Sequence, residues 1–453
     1  MGTGVRRYGW APLVAVAVTT ALESGERQSL SQAVHGIQHD FHVTDAALGF
    51  LPFAMAIVGV LGAFPIGILA DRARRTLLLA GAVVLWTVCM GANALAGTYA
   101  LLFVGRIGVG AVEANGPAAV SLLSDYYPVR DRARVMGLYQ SGALVGAIVG
   151  LVVGGIAVGV GGWRWAFAMW IPFGVAGALY LARQPEPVRG DQDAAFHDEL
   201  GAPVDTVDLA TMPLVLPAPR REGTLDYSNC TTREVGRELL RIPSMWFGVL
   251  ALTVSQLLLN ALQFWGVEYF KRVHHLGAAA AGAVTALFGL GAVVGILAGG
   301  FLADRLLARG RVNARVHVVA YGSIAATLVL APAFASTVLW VTAPLLLVGG
   351  ILLTLPVAPA EALVSDVVVA ELRGRAATVR STVRALSAVG PLVVGLLADA
   401  MGLRGALVAM TPVYAVGGVI MLGAARHYPA DVAFVVAESR RVRAGQAEAL
   451  VEP

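Results

Sequence analysis

Long stretches of apolar residues recur along this chain and limit its possible folds more than any other feature. There are twelve, at residues 10–34, 45–69, 77–97, 99–127, 134–160, 163–183, 243–272, 278–303, 316–334, 336–365, 376–400 and 403–425. A helix needs about 20 apolar residues to cross a membrane, where every backbone polar group must be bonded internally. Because the stretches do not alternate apolar with polar residues, they predict helices rather than barrel strands.

The scarcity of charge supports the same interpretation. Charged residues make up 14% of the chain and hydrophobic residues 57%, whereas a soluble domain is about 25% charged. So few charges cannot cover the surface of a protein of this size, and much of that surface must face lipid. The sequence therefore predicts an all-α integral membrane protein with twelve transmembrane helices.

Several function classes find no support in the residues. Cys89 lies in an apolar stretch and Cys230 in a polar one, and they fit no metal-binding spacing. No P-loop, HExxH motif or nucleophile elbow is present, and the net charge of +4 forms no basic block of the kind that binds nucleic acid. We expect no cofactor, no metal, no catalytic residue and no nucleic-acid partner, which leaves a membrane enzyme or receptor as the least favoured reading.

The distribution of arginine predicts the topology. Arginines concentrate in the loops after the second, fourth, eighth and tenth stretches, and such loops face the cytoplasm. Both termini are then cytoplasmic, and we expect a multi-pass monomer in a bacterial inner membrane. The first opposite loop carries His35, His39 and His42, either as ordinary polar loop residues or as a pH-responsive surface.

An internal repeat divides the sequence. Gly67-Ile-Leu-Ala-Asp71-Arg72 is echoed by Gly300-Phe-Leu-Ala-Asp304-Arg305, and Ser124-Asp125 by Ser365-Asp366, each in the matching loop. The repeat predicts two six-helix halves, a polar cytoplasmic linker between them and a polar cytoplasmic tail. Their bounds are 1–183 for the first half, 184–241 for the linker, 242–426 for the second half and 427–453 for the tail.

Glycines recur at every fourth position of the fifth stretch, namely at Gly142, Gly146, Gly150 and Gly154. Small residues at this spacing let two membrane helices approach closely. Plain helix packing is favoured over a functional motif.

Three motifs in the first half resemble the major facilitator superfamily of transporters. They are Gly67-x-x-x-Asp71-Arg72-x-x-Arg75, Arg106-x-x-x-Gly110 and Gly162-Trp163-Arg164-Trp165. The resemblance implies two six-helix halves that work by alternating access. It also implies a gating role for charged and glycine residues of the repeated loops, although these loops can instead serve only to set topology. The predicted gating residues are Gly67, Asp71, Arg72, Arg75, Asp304 and Arg305.

Further features resemble the Spinster branch of that superfamily, whose members carry lysophospholipids or sphingolipids. Arg74 replaces the usual glycine of the signature loop, and Glu26-Arg27 resembles an acid–arginine pair with Glu in place of Asp. Gly110-Ala-Val-Glu113-Ala114, with altered spacing, and Phe264-Trp265 to Arg272-Val-His274 are also similar. A neighbouring branch of organic-anion symporters shares several of these features. The resemblance implies a lipid-like amphiphile as substrate, with small organic anions or drugs as the alternative.

Three charged residues fall inside apolar stretches: Glu26, Arg106 and Glu113. A charge in the hydrocarbon region costs at least about 2.5–3.5 kcal/mol, so each should face a cavity or a partner. Desolvation favours a neutral carboxylate, whereas a nearby guanidinium favours the ionised form. We therefore predict that these residues couple transport to protons, the alternative being a static pair that fixes helix packing.

Five residues are predicted to contact substrate: Arg27, Asn260, Gln263, Trp265 and Arg384. Arg27 can instead extend toward the outer interface. Arg384 lies four residues after Arg380, so the two can bind a phosphate or simply begin an amphipathic helix at the cytoplasmic interface.

Overall fold

The computed structural model describes residues 9–113, 116–127, 132–187, 217, 231–369 and 372–449. Within these ranges the side-chain environments of some helical residues are not described, and these include four predicted site residues. The side chains of four residues, Gly67, Asp71, Arg72 and Glu113, therefore lie outside the described part of the structure.

Every regular element in the described ranges is a helix. The α-helices are α1 (Ala11–Phe41), α2 (Asp45–Arg72), α3 (Arg75–Ala94), α4 (Tyr99–Glu113), α5 (Gly116–Tyr126), α6 (Arg132–Gly161), α7 (Trp165–Ala168), α8 (Ile171–Ala182), α9 (Thr232–Leu240), α10 (Pro243–His274), α11 (Ala278–Ala308), α12 (Ala314–Ala335), α13 (Leu339–Thr354), α14 (Val357–Asp366), α15 (Arg373–Ala385), α16 (Gly390–Leu422) and α17 (Tyr428–Ala449). Two short 3₁₀ segments, Leu386–Val389 and Gly423–Arg426, complete them.

Each predicted span coincides with one helix or with successive helices. By length and composition, nine helical segments of the described chain can cross a membrane, and Tyr99–Val112 is a shorter apolar helix. The all-α membrane architecture is therefore confirmed, although nine segments of sufficient length do not establish the full count of twelve. Proline and glycine place several interruptions: Pro356 precedes α14, and Gly402, at φ 77°, breaks α16 between the two last predicted spans.

The chain forms two compact units, which are described separately. Unit 1 comprises Met1–Val204, Ala261–Ala286 and Pro391–Leu403, and unit 2 comprises Asp205–Asn260, Leu287–Gly390 and Arg404–Pro453. Helices α10, α11 and α16 contribute residues to both. The division into two sequence halves stays a prediction.

The glycine repeat of α6 forms the tightest helix contact of unit 1. A Cβ on Gly146 would lie 2.0 Å from the backbone oxygen of Ala21, and one on Gly150 would lie 2.0 Å from that of Gly25. Any side chain larger than hydrogen would therefore push α6 away from α1. This close approach fixes α1 and the polar residues that it carries.

In unit 2, part of the predicted linker and part of the predicted tail are helical. Helix α9 begins with a capping box between Thr231 and Glu234. Its Val235 and Leu239 belong to the same buried cluster as Tyr428 and several other residues of α17. The two helices are therefore ordered because they bury apolar side chains in one core. The polar overall composition of these segments did not predict this contact.

The contact between α1 and α6 predicts the effect of adding one methyl group. We expect Gly146→Ala to lower the free energy of unfolding by about 1–3 kcal/mol, since the new Cβ overlaps a backbone oxygen. Thermal unfolding in detergent measures the change. Gly159→Ala, on the same helix with nothing within 4 Å of the added carbon, is the matched control and should be neutral or slightly stabilising. Equal effects of both substitutions would contradict the packing interpretation.

Candidate functional site

An ion pair between α1 and α4 lies at the centre of the candidate site. Arg106 Nη1 donates to Glu26 Oε1, and both side chains are 1% exposed. Around them, Arg106 Nη2 lies 3.1 Å from Met55 Sδ and its guanidinium carbon lies 5.8 Å from the centre of the Phe167 ring. The structure thus brings together two of the three residues predicted for proton coupling.

One nitrogen of the pair lacks a partner within the described part of the chain. Arg106 Nε is buried and has no hydrogen-bond partner among the described residues. A buried charge left without its partner is costly, so protonation of Glu26 would oblige Arg106 to find another anion. The arrangement can therefore couple the charge of one carboxylate to the arrival of a proton or of an anion. Arg27, next to Glu26, is exposed.

The residues predicted to contact substrate in the second half have partners of their own. In unit 2, Asn260 Nδ2 donates to Ser387 Oγ at 2.9 Å, and Arg384 Nη1 donates to Glu361 Oε1 at 2.7 Å. In unit 1, Trp265 Nε1 donates to the Pro391 oxygen at 2.8 Å. Gln263 is exposed. Three of these polar groups thus make structural contacts in this conformation, and Arg384 already has a carboxylate partner.

Among the predicted gating residues of the first half, Arg75 is described in full. It begins α3, donates to Asp125 Oδ2 at 2.5 Å and to Glu186 Oε1 at 3.1 Å, and is buried. Glu186 also accepts bonds from the Thr76 N–H and hydroxyl at 2.9 and 2.8 Å. Burial acts to raise the pKa of Glu186, but the bonds from Thr76 and Arg75 outweigh it and the pKa is lowered. Glu186 is therefore an anion at neutral pH.

The second half repeats this cluster with a different third partner. Arg315, in the first turn of α12, pairs with Asp366 and lies 3.3 Å from Asp304 Oδ1. The Tyr428 hydroxyl donates to Asp366 Oδ2 at 2.6 Å. Asp304 is mostly exposed and Arg305 is exposed. Sequence analysis missed Arg315, although arginine precedes aspartate by 50 residues in one half and by 51 in the other.

A second network in unit 1 was also missed by sequence analysis. Arg272, near the end of α10, donates to both Asp45 carboxylate oxygens at 2.7 and 2.8 Å. It also donates to Gln38 Oε1 at 2.7 Å and to Glu268 Oε1 at 2.7 Å. These residues lie at the helix ends predicted to face away from the cytoplasm, called the outer end below.

Two further groups extend this network. His35 Nδ1 lies 3.2 Å from Glu268 Oε1, and this hydrogen bond raises the pKa of His35 against the opposing effect of burial. The Asp399 carboxylate accepts the backbone N–H groups of Asp45 and Ala46 at 2.8 and 3.0 Å, and so caps α2. The network is named the outer latch and consists of His35, Gln38, Asp45, Glu268, Arg272 and Asp399. Its members come from α1, α2, α10 and α16, so it joins segments that are remote in sequence.

Comparison with known proteins identifies the family. Residues 16–389 match the Major Facilitator Superfamily. The chain belongs to that superfamily. Its relatives in that superfamily are membrane transporters and not enzymes.

Curated relatives of this facilitator are carriers of sugar acids and sugar phosphates. It is 26% identical over 277 residues to the glucose-6-phosphate exchanger SLC37A2 of Mus musculus. The matched region covers 57% of this chain and 54% of that relative. It is 23% identical over 309 residues to a probable L-galactonate transporter of Escherichia coli (strain K12), covering 68% and 64%. The chain thus spans between about half and two thirds of the length of these relatives.

A solved structure with a similar fold comes from the Spinster group. A bacterial homologue of the human lysosomal transporter Spinster, in an inward-facing and unoccupied conformation, superposes with a TM-score of 0.76 at 21% identity. The match covers 94% of this chain and 98% of that one. The resemblance to the superfamily and to the Spinster fold is therefore confirmed. Sequence identity at this level shows the fold alone.

The geometry of the outer latch predicts its dependence on Arg272. We expect Arg272→Gln to speed amide exchange at the start of α2 about tenfold or more, because four charge-assisted bonds are lost. Hydrogen–deuterium exchange of the purified facilitator measures this. Arg404→Gln, which removes an exposed arginine that bonds to the Ala335 oxygen at the outer end, is the control. Unchanged exchange in Arg272→Gln would show that the latch does not hold these helix ends.

Proposed function

We propose that this facilitator is a proton-coupled secondary transporter of amphipathic, lipid-like substrates that works by alternating access. The buried pair of Glu26 and Arg106 carries the proposal. A chain that keeps two ions inside an apolar helix bundle, away from any helix end, meets a continuing cost. A role that changes during the transport cycle accounts for that cost.

Proton coupling follows from the shared electrostatics of the pair. Arg106 and Glu26 balance each other's charge while they are bonded; when Arg106 turns to another anion, a proton on Glu26 would restore that balance. An anionic group on the substrate is such an anion. We further propose that Glu113, two helical turns after Arg106 in sequence, is a second proton acceptor in this pathway.

Alternating access is supported by ion pairs at the two ends of α2. The outer latch engages Asp45, where α2 begins, and the cluster of Arg75, Asp125 and Glu186 follows directly after its end. Although these pairs are largely buried, they lie at helix ends, where movement of the helices can admit water to the separated partners. We propose that these two sets, with Arg315 and Asp366 in the second half, open in turn as the facilitator exposes its site to each side.

A lipid-like substrate is supported by the neutral character of α10, which offers Asn260, Gln263 and Trp265 but no mid-helix ion. It is also consistent with the name of the Spinster fold neighbour. A small organic anion is the second candidate, favoured by the names of the curated relatives. In either case we propose that Arg27 helps to bind an anionic end of the substrate. We propose that Arg384 does the same once it is released from Glu361.

The proposed setting follows from the arginine distribution. We propose a bacterial inner membrane, cytoplasmic termini and a monomer that exchanges substrate and protons between the two aqueous sides. Surrounding lipids and the substrate are then its main partners.

The proton role of the buried pair predicts the behaviour of Glu26→Gln. In proteoliposomes, we expect this substitution to abolish substrate flux driven by a pH gradient, while exchange of substrate at equal pH persists, since the amide cannot take up a proton. Fluorescent lysophospholipid is the first substrate to use. Glu113→Gln is compared with it, and Glu234→Gln, in the exposed capping box of α9, serves as control. Flux in Glu26→Gln that still follows the gradient would refute this role of Glu26.

The substrate class is decided by a panel with the unmodified facilitator. We expect saturable uptake of lysophospholipid, and competition by other single-chain anionic or zwitterionic amphiphiles, because the proposed site combines one charged region with neutral lining. Counterflow of radiolabelled galactonate, glucose 6-phosphate and a cationic dye is measured in parallel. Uptake of the sugar acids without lysophospholipid would favour the second candidate and leave the fold and the pair unaffected.

A further inference from the structure

Lys271 is the only lysine of the sequence. It lies in the last turns of α10, directly before Arg272 of the outer latch. Its Nζ donates to the backbone oxygen of Gln32 at 2.6 Å. Within the described part of the chain no carboxylate lies within the 4.0 Å of Nζ that defines an ion pair, whereas Arg272 has two carboxylate partners. The ammonium group has three N–H donors, so this contact leaves two of them for another partner.

The Lys271 side chain lines a cavity of ≈ 630 Å³ in unit 1, at the outer end of α1 and α6. Six residues of its wall are polar or aromatic, namely Gln32, His35, Asp40, Trp163, Lys271 and His275. Val158, Leu276 and Ala278 contribute apolar surface. The cavity is separate from the buried pair of Glu26 and Arg106, neither of which lines it.

Gln32, which lines the same cavity, also has a polar atom without a hydrogen-bond partner among the described residues. Gln32 is fully buried, and its Nε2 donates to the Leu151 oxygen at 3.0 Å. That bond fixes the orientation of the amide, and the remaining Oε1 is buried with no hydrogen-bond partner. A buried acceptor without a donor is unfavourable. Because that oxygen has no accessible surface, the polar group that the cavity offers to a ligand here is the Lys271 ammonium.

Two acids near the cavity, Asp40 and Glu268, have basic partners of their own, and Glu268 acts on Lys271 only over a distance. Asp40 accepts bonds from Trp163 Nε1 at 2.8 Å and Arg164 Nη1 at 2.9 Å, so its charge is offset by Arg164. Glu268 is engaged by His35 and Arg272. The local charge at Lys271 is consequently available to a ligand.

We propose that this cavity binds a small anion, whose carboxylate or phosphate contacts Lys271 Nζ. The site is additional to the proposed central site and does not depend on the proposed function. A free hydroxy acid and the glycerophosphate head of a lipid share this chemistry. The bound anion would lie beside the outer latch, because Lys271 and Arg272 are consecutive residues.

The single lysine allows a direct test on the unmodified protein. Purified facilitator is treated with an amine-acetylating reagent, and modification of Lys271 is followed by mass spectrometry with and without gluconate, glycerol 3-phosphate or lysophosphatidylglycerol. We expect at least one of these anions to slow acetylation about tenfold at saturation, with sorbitol and sodium chloride of equal ionic strength as controls. Protection by the soluble anions identifies a free hydroxy acid, and protection by the lipid alone identifies a head group. Equal acetylation rates under all conditions would overturn the proposal.

Calorimetric binding of the same three anions gives a readout that does not require Lys271 to react. We expect Lys271→Gln to weaken binding about 10–100-fold, the loss typical of a bond to a charged group. Lys271→Arg should retain part of the affinity, and Arg404→Gln, outside the cavity, should retain all of it. Wild-type affinity in Lys271→Gln, or the absence of binding by wild type, would also overturn the proposal.

Discussion

A charge inside a membrane protein must be matched by another charge, and the matched pairs of this chain organise the rest of the structure. Glu26 with Arg106 lies within helices, whereas Arg75 with Asp125 and Arg315 with Asp366 lie at helix ends. The position decides what each pair can do. At a helix end, a small movement of the helices can admit water to both partners, so such pairs can open at a lower cost than a pair enclosed between helices. Within the helices no water replaces the partner, and only a proton or another ion does.

The packing of α1 restricts how the buried pair can change. Gly25, next to Glu26, meets α6 at backbone distance, and a Cβ on it would lie 2.4 Å from the Trp170 ring. Helix α1 therefore cannot rotate on α6 without a clash, and the two are expected to move together. The freedom needed to separate Glu26 from Arg106 must then come from the Arg106 side chain or from movement of α4. The glycine repeat thus contributes to function by fixing one member of the pair.

The sequence predicted the helices well and their polar partners poorly, for physical reasons. Apolar stretches identify membrane helices because lipid imposes the same requirement on each of them. Ion pairs join residues that are far apart, by 80 positions for Glu26 and Arg106 and by 227 for Asp45 and Arg272. Charges at helix ends also set topology, so Arg272, Asp45 and Asp399 carried no signal of mutual contact. Segments α9 and α17 were assigned to a polar linker and tail because of their overall composition, although both bury apolar side chains in one core.

The contrast between arginine and lysine in this chain follows the same logic. Every basic residue of the ion pairs that join two acids, including Arg75 and Arg272, is an arginine, whose planar fork bonds several acceptors at once. Lys271 stands one position from Arg272 but lines a cavity, and among the described residues its Nζ bonds to a backbone oxygen. An ammonium group is a compact charge with freely directed donors, which suits a ligand that arrives and leaves better than a fixed double pair. The difference between these two neighbouring residues therefore separates a group that holds the helix ends together from one that can receive an anion beside them.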